Sequence, residues 1–169
     1  MKPILLYGCE IWGQGNNSVI ERVHMKFCKL LLRVKKSTLD YMIYGELGRY
    51  PLNINIKLHI IHNWSKLIYG KQEKLPVLLY NFSRHKYGND ISWLNNVRTI
   101  LDECGMSIIW ETQCFLSNAW LYANVKQSLI DQFRQSWHTK IQESPKALNY
   151  RMFQENLAKY AGFWLIMKT

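Results

Sequence analysis

Apolar residues return every three or four positions along nearly the whole 169-residue chain, and no stretch sustains the every-second-residue alternation of a half-buried strand. That period confines the fold to the all-α class, a helical bundle with two helical subdomains. Turn residues fall where helices need ends. A first long helix is expected from Asn17 or Ser18 to about Val34, with Val19, Val23, Phe27, Leu30 and Val34 as its core face. A short helix from Thr38 to Leu47 follows, capped by Ser37 or Thr38 and stopped by Gly48.

Pro51 suits the first turn of a helix reaching Tyr69 and closed by Gly70, with Ile54, Leu58, Ile61, Trp64 or Ser65, and Ile68 at helical spacing. Further helices are expected over Glu73–Tyr87, from Asp90 or Ser92 to Cys104, from Ser107 to Phe115, over Ala119–Ile141 and over Lys146–Tyr160. The stretch from Gly70 to Asp90 is richest in charge and turn residues. The expected organisation is therefore a basic helical subdomain over residues 1–70, a connector over 71–90 and a C-terminal helical subdomain over 91–169.

The packed Leu5–Trp12 segment follows Met1 with no polar lead-in, and the apolar 161–167 segment stops two residues before the end, so a fragment of a larger protein is expected. No apolar run approaches the ~18 residues of a membrane span, and Glu10 interrupts the opening run before it can serve as a secretion signal. An intracellular chain, nuclear or cytoplasmic and not secreted, is the expectation. Cys9, Cys28, Cys104 and Cys114 are then reduced, buried small hydrophobes.

Lysine and arginine number 22 against 12 aspartates and glutamates, a formal charge of +10. Such an excess repels itself in a compact state and points to a polyanionic partner. Arg22, Lys26, Lys29, Arg33 and Lys36 are spaced four, three, four and three, so a helix would gather them into one stripe, which Lys35 enlarges. Its rival reading is a solvated lysine face. His59 with His62, and His24 with Cys28, sit at helical spacing for two metal bonds, but no further close pair completes three or four ligands. No metal site and no cofactor are expected. The only adjacent acidic pair is Asp102-Glu103, and neither a phosphate-cradling Gly-rich loop nor a Gly-x-Ser-x-Gly elbow is present, so no complete active site is expected. The seven tryptophans fall mostly among Leu, Ile and Val and read as core.

Taken in order, Leu5-Leu-Tyr-Gly-Cys-Glu-Ile-Trp-Gly13, Ile20-Glu-Arg-Val-His-Met-Lys-Phe-Cys-Lys29 and Tyr44-Gly-Glu-Leu-Gly-Arg-Tyr-Pro-Leu52 form a set with the stretch from Ile56 to Trp64. That set resembles the region just after the polymerase core in LINE-type non-LTR retrotransposon reverse transcriptases. The likeness is strongest from Pro3 to Tyr69 and looser through Trp93, Trp110, Phe133 and Trp137. The resemblance implies that the Ser18–Val34 helix belongs to the thumb, which grips an RNA or RNA/DNA template-primer duplex. It implies nucleic-acid contacts from Arg22, Lys26, Lys29, Arg33, Lys35 and Lys36. It also implies that the parent is an RNA-directed DNA polymerase, with its catalytic palm before this region and a Cys/His knuckle after it. The chain on its own is then not an enzyme. The segment 163–169 departs from the family pattern. The alternatives are a stand-alone basic helical protein that meets an acidic protein or membrane surface, and a nonfunctional relic.

Overall fold

The computed structural model describes residues 2–15, 17–71, 73–87 and 92–153. Among them the chain is all-α: α1 (Lys2–Leu5), α2 (Cys9–Trp12), α3 (Ser18–Leu31), α4 (Asp40–Leu47), α5 (Leu52–Ile68), α6 (Leu75–Tyr87), α7 (Ser92–Glu103), α8 (Ser107–Thr112), α9 (Asn118–Glu143), a 3-10 turn (Pro145–Ala147) and α10 (Leu148–Phe153). No helix of the described residues is long and apolar enough to cross a membrane.

The chain forms two compact units, one from residues 1–17 with 53–129 and the other from 18–52 with 130 onward. The division does not fall at the expected 71–90 connector. Residues 73–87 belong inside the first unit because α6 is apolar on one face: Val77 and Tyr80 are buried, and Trp64 of α5 donates its indole N–H to the Tyr80 hydroxyl at 3.1 Å. Tyr80 in turn donates to Gln113 Oε1 at 2.5 Å.

In that first unit α5 is the central rod. Its apolar residues come so densely that Ile54, Ile56, Leu58, Ile60, Ile61 and Trp64 are all buried, each worth roughly 1.5–3 kcal/mol on removal from water. Trp64 stacks on Trp110 of α8 with ring centres 6.0 Å apart. Leu94, Val97, Ile100 and Leu101 supply the buried stripe of α7, and Leu121, Val125 and Leu129 that of the first half of α9. The α9 N-terminus is fixed by Ser117, whose hydroxyl accepts the Trp120 N–H at 3.1 Å.

The second unit packs α3 on α4 through Met25, Cys28, Ile43 and Tyr44, with Phe133 of α9 set edge-on to Tyr44 at 5.6 Å. Trp137 and Ile141 of α9 and Ala147 form its other cluster. The Trp137 indole donates to the Tyr41 carbonyl at 2.7 Å and the Tyr150 hydroxyl to the Met42 carbonyl at 3.2 Å, which ties both elements to α4.

Several element ends differ from expectation for local reasons. Helix α3 stops at Leu31, not Val34, because Arg33 takes a left-handed conformation with φ +53°. Helix α4 starts at Asp40 after Leu39, so neither Ser37 nor Thr38 caps it, whereas Gly48 does close it at φ 55°. Pro145 opens a 3-10 turn before α10 instead of an α-helix. Residues 88–91, with the expected helix start at Asp90, and the chain beyond Phe153, with the end of the expected last helix and the apolar 161–167 segment, lie outside the described residues. Of the cysteines, Cys9 and Cys28 are buried as expected, but Cys104 is half-buried and Cys114 exposed. Trp64 and Trp137 are core, while Trp12 and Trp120 stand partly in solvent at 40% and 38% exposure.

Candidate nucleic-acid interface

Helix α3 turns the face expected to be its core outward. Val19, Val23 and Leu30 are exposed at 61%, 47% and 75%, and the buried positions are His24, Met25 and Cys28. Periodicity permits both seams, since 21, 24, 25, 28 and 32 also follow the helical spacing. The less apolar seam wins because its polar groups all find partners. The Glu21 carboxylate accepts the Tyr44 O–H of α4 and, at 2.8 Å, the Leu52 N–H at the start of α5. It also takes the His24 Nδ1–H at 3.4 Å, which leaves His24 Nε2 to accept the Cys28 thiol proton at 3.5 Å.

Burial alone would push the Glu21 carboxyl up, but the hydrogen bonds from His24 and Tyr44, with that from the Leu52 N–H, hold it below the ordinary carboxylate range. Burial, and then the bond to Glu21, push the Tyr44 phenol well above its usual value. The order Cys28, His24, Glu21 is that of a nucleophile, a base and an orienting acid. With Cys28 at 1% and His24 at 2% exposure no substrate reaches it. The arrangement is a brace that fixes the rotation of α3 about its axis and uses up the His24–Cys28 pair considered for metal binding.

That rotation decides where the cations go. Arg22, Lys26 and Lys36 are exposed and, with Lys29, line one groove of about 670 Å³ whose apolar lining is Met25, Leu30 and Val34. Lys29 is different in kind from its neighbours. Its ammonium, 15% exposed, pairs with Asp40 at 2.7 Å and donates to the Lys36 carbonyl at 3.0 Å, stapling the 32–36 turn to the start of α4. Arg33 and Lys35 are exposed on that turn and are not part of the groove lining. The six expected contacts therefore divide into three exposed cations around the groove, two on the adjoining turn, and one already engaged.

Helix α3 closes through Arg33 N–H to the Leu30 carbonyl and Val34 N–H to the Lys29 carbonyl, both 3.1 Å, the paired bonds of a Schellman turn. Helices α4 and α7 close the same way on Gly48 and Gly105 at φ +55° and +71°. Among the described residues, α3 and α8 put a side chain with a Cβ at a left-handed closing position, Arg33 at φ 53° and Gln113 at φ 54°, at a cost of roughly 1–2 kcal/mol each. Sequence reasoning missed Asp40, and it assigned Leu30 and Val34 to the core. The signal that was available for both was the alternative seam through Glu21, His24 and Cys28.

The same 18–36 segment thus carries an anchoring polar seam inside and a mixed cationic and apolar face outside. No family model, curated protein or solved structure matches the chain.

Proposed function

We propose that this chain is the thumb and following helical region of a non-LTR retrotransposon reverse transcriptase, and that its retained role is to hold an RNA or RNA/DNA template-primer duplex. The observation that carries the reading is the clustering of Arg22, Lys26 and Lys36 around one groove, with Arg33 and Lys35 on the next turn. Phosphates along one strand ask for cations repeated along a line; α3 supplies Arg22 and Lys26 four residues apart, and the turn after it supplies Arg33, Lys35 and Lys36. The chemistry of polymerisation belongs in this reading to the palm that precedes this region, and the present residues have a holding role only.

With five exposed cations engaged, log K against log salt should fall with a slope of about −4 to −5 on duplex. Replacing Arg22, Lys26 and Arg33 together by Glu should abolish most duplex affinity at constant helicity. An affinity within twofold of the parent would exclude the reading.

A second reading has its own support. Val19 and Leu30 stand out among the cations at 61% and 75% exposure, which suits a surface that is both anionic and apolar, such as an anionic bilayer or an acidic protein face. Parallel titrations with phosphatidylserine vesicles and with duplex at matched salt separate the two. Preference for duplex supports the thumb, and preference for vesicles supports the interaction protein.

A further inference from the structure

The basic face belongs to the second unit, and the first unit contains a cluster of its own. The Cys9 sulfur, a Glu10 carboxylate oxygen and a His59 ring nitrogen all lie within 4.8 Å of one another. Fifty residues separate Cys9 from His59, and the fold brings them together by a definite route. Gly8 at φ 67° turns the chain into α2, and the Trp12 indole donates back to the Tyr7 carbonyl at 2.7 Å. The Trp93 indole of α7 donates to the Glu10 carbonyl at 2.9 Å, which pins the middle of the segment. At its end Gly13 is buried, and a Cβ there would collide with the Ile56 side chain of α5 and with the Cys9 carbonyl. Ile56 and His59 are three apart on α5 and so share a face, the face on which α2 lies.

We propose that Cys9, Glu10 and His59 are a three-ligand site for a zinc-class divalent ion, with the fourth position open to solvent. The donor set is one soft sulfur, one imidazole and one carboxylate, which suits zinc and disfavours magnesium, an ion that seeks oxygens alone. A thiolate and a carboxylate together balance the ion's two charges. Tetrahedral zinc at ordinary bond lengths sets its ligand atoms roughly 3.3–3.7 Å apart. The three atoms therefore need to close by at most about 1–1.5 Å, and the side chain with room to move is exposed His59. Cys9 is fully buried, Glu10 half-buried and His59 exposed, so the ion would sit at the rim with its sulfur bond inward and its free position outward. The donors come from α2 and α5, and the ion would cross-link the opening segment to the central helix.

The test uses the full 169-residue chain, stripped with chelator and titrated with cobalt as a visible probe, then with zinc in competition. One equivalent of cobalt should give a thiolate-to-metal charge-transfer band that zinc abolishes and that excess magnesium leaves unchanged. Cys9→Ser should lose the band, and Glu10→Gln and His59→Gln should each weaken cobalt binding at least ~10-fold. Cys114→Ser and His62→Gln should titrate like the parent. The proposal is overturned by the absence of a stoichiometric band, by a band that survives Cys9→Ser, or by a band lost in Cys114→Ser. Should circular dichroism show Cys9→Ser unfolded, His59→Gln decides alone, because its side chain is at the surface: unchanged cobalt affinity there also overturns the site.

Discussion

Replacing Glu21 by Gln should cost the second unit about 2 kcal/mol at neutral pH, because the carboxylate accepts from three groups and an amide cannot replace all of them. Tyr44 O–H, Leu52 N–H and His24 Nδ1–H converge on its two oxygens. In the variant the amide nitrogen can replace Oε1 only if the Tyr44 hydroxyl turns to accept and His24 takes its other tautomer, and a buried donor left unsatisfied costs about 1–3 kcal/mol. The remaining bonds also lose the strengthening that a charged acceptor confers. Glu21 is 25% exposed, so water relieves part of the loss and the middle of that range is expected. The effect carries a pH signature. The folded chain holds the Glu21 proton less tightly than the unfolded chain does. The stabilisation is therefore complete above the ordinary carboxylate value of ~4.3 and is lost as pH falls through the lower folded value. Urea unfolding followed by tryptophan fluorescence and circular dichroism, at pH 7 and at steps below ~4, should show parent and variant converging as pH falls. A variant as stable as the parent at pH 7 would refute the brace. So would a difference that stays constant through the acid range.

Arg33→Gly should raise stability by about 0.5–1 kcal/mol, since relief of the left-handed strain exceeds the extra chain entropy of glycine, while duplex affinity falls and its salt slope shrinks by about 0.9. Thermal unfolding and a salt titration measure the two, and a loss of stability would show that the Arg33 side chain, not its charge on a partner, sets its place. Lys26→Ala should leave stability within about 0.5 kcal/mol and weaken duplex binding. Lys29→Ala should cost about 0.5–1 kcal/mol through the lost Asp40 pair and Lys36 carbonyl bond, with little change in the salt slope, and the same two assays check both variants. Gly45→Ala should destabilise by about 1–3 kcal/mol, because a Cβ there would stand 3.0 Å from Trp137 and closer still to the Tyr150 hydroxyl, and chemical denaturation reads the loss.

The helical class and many helix ends were legible because their signals are local. Gly48 and Gly105 occupy left-handed closing positions that glycine fills without a Cβ penalty, and the stripe of Leu121, Val125, Leu129 and Trp137 is buried at the period that the residues themselves display. The buried face of α3 was not legible, because its partners are supplied from elsewhere: Tyr44 lies 23 residues beyond Glu21, and the Leu52 N–H lies 31 beyond. Hydrophobicity alone favours Val19, Val23 and Leu30, and only the partners' positions show that Glu21 and His24 can be buried without loss. The unit boundary escaped for a similar reason. Turn residues mark where a helix ends, not which core it joins, and Tyr80 joins the core of α5 through Trp64.

Helix α3 is consequently oriented by a few directional bonds alongside the apolar seam of Met25, Cys28 and Leu32, and this bears on how its outer face can work. Burial of apolar area is non-directional, whereas a hydrogen bond constrains angle as well as distance. A helix held by Tyr44, Leu52 and His24 on a single carboxylate has its rotation defined, and with it the direction in which Arg22 and Lys26 point. The Lys29–Asp40 pair then defines the path of the turn that carries Arg33 and Lys35. The backbone positions that carry the cations are thus set before any partner arrives, and the ordering cost left to a partner with regularly spaced charges is that of the exposed side chains. On this argument a change at Glu21, outside the groove lining, lowers the partner's affinity through the direction of α3, and does so against the loss of one negative charge, which by itself favours a polyanion. Duplex binding by Glu21→Gln, measured at pH 7 where the chain remains folded, should accordingly weaken with an unaltered salt slope, since every exposed cation is still present.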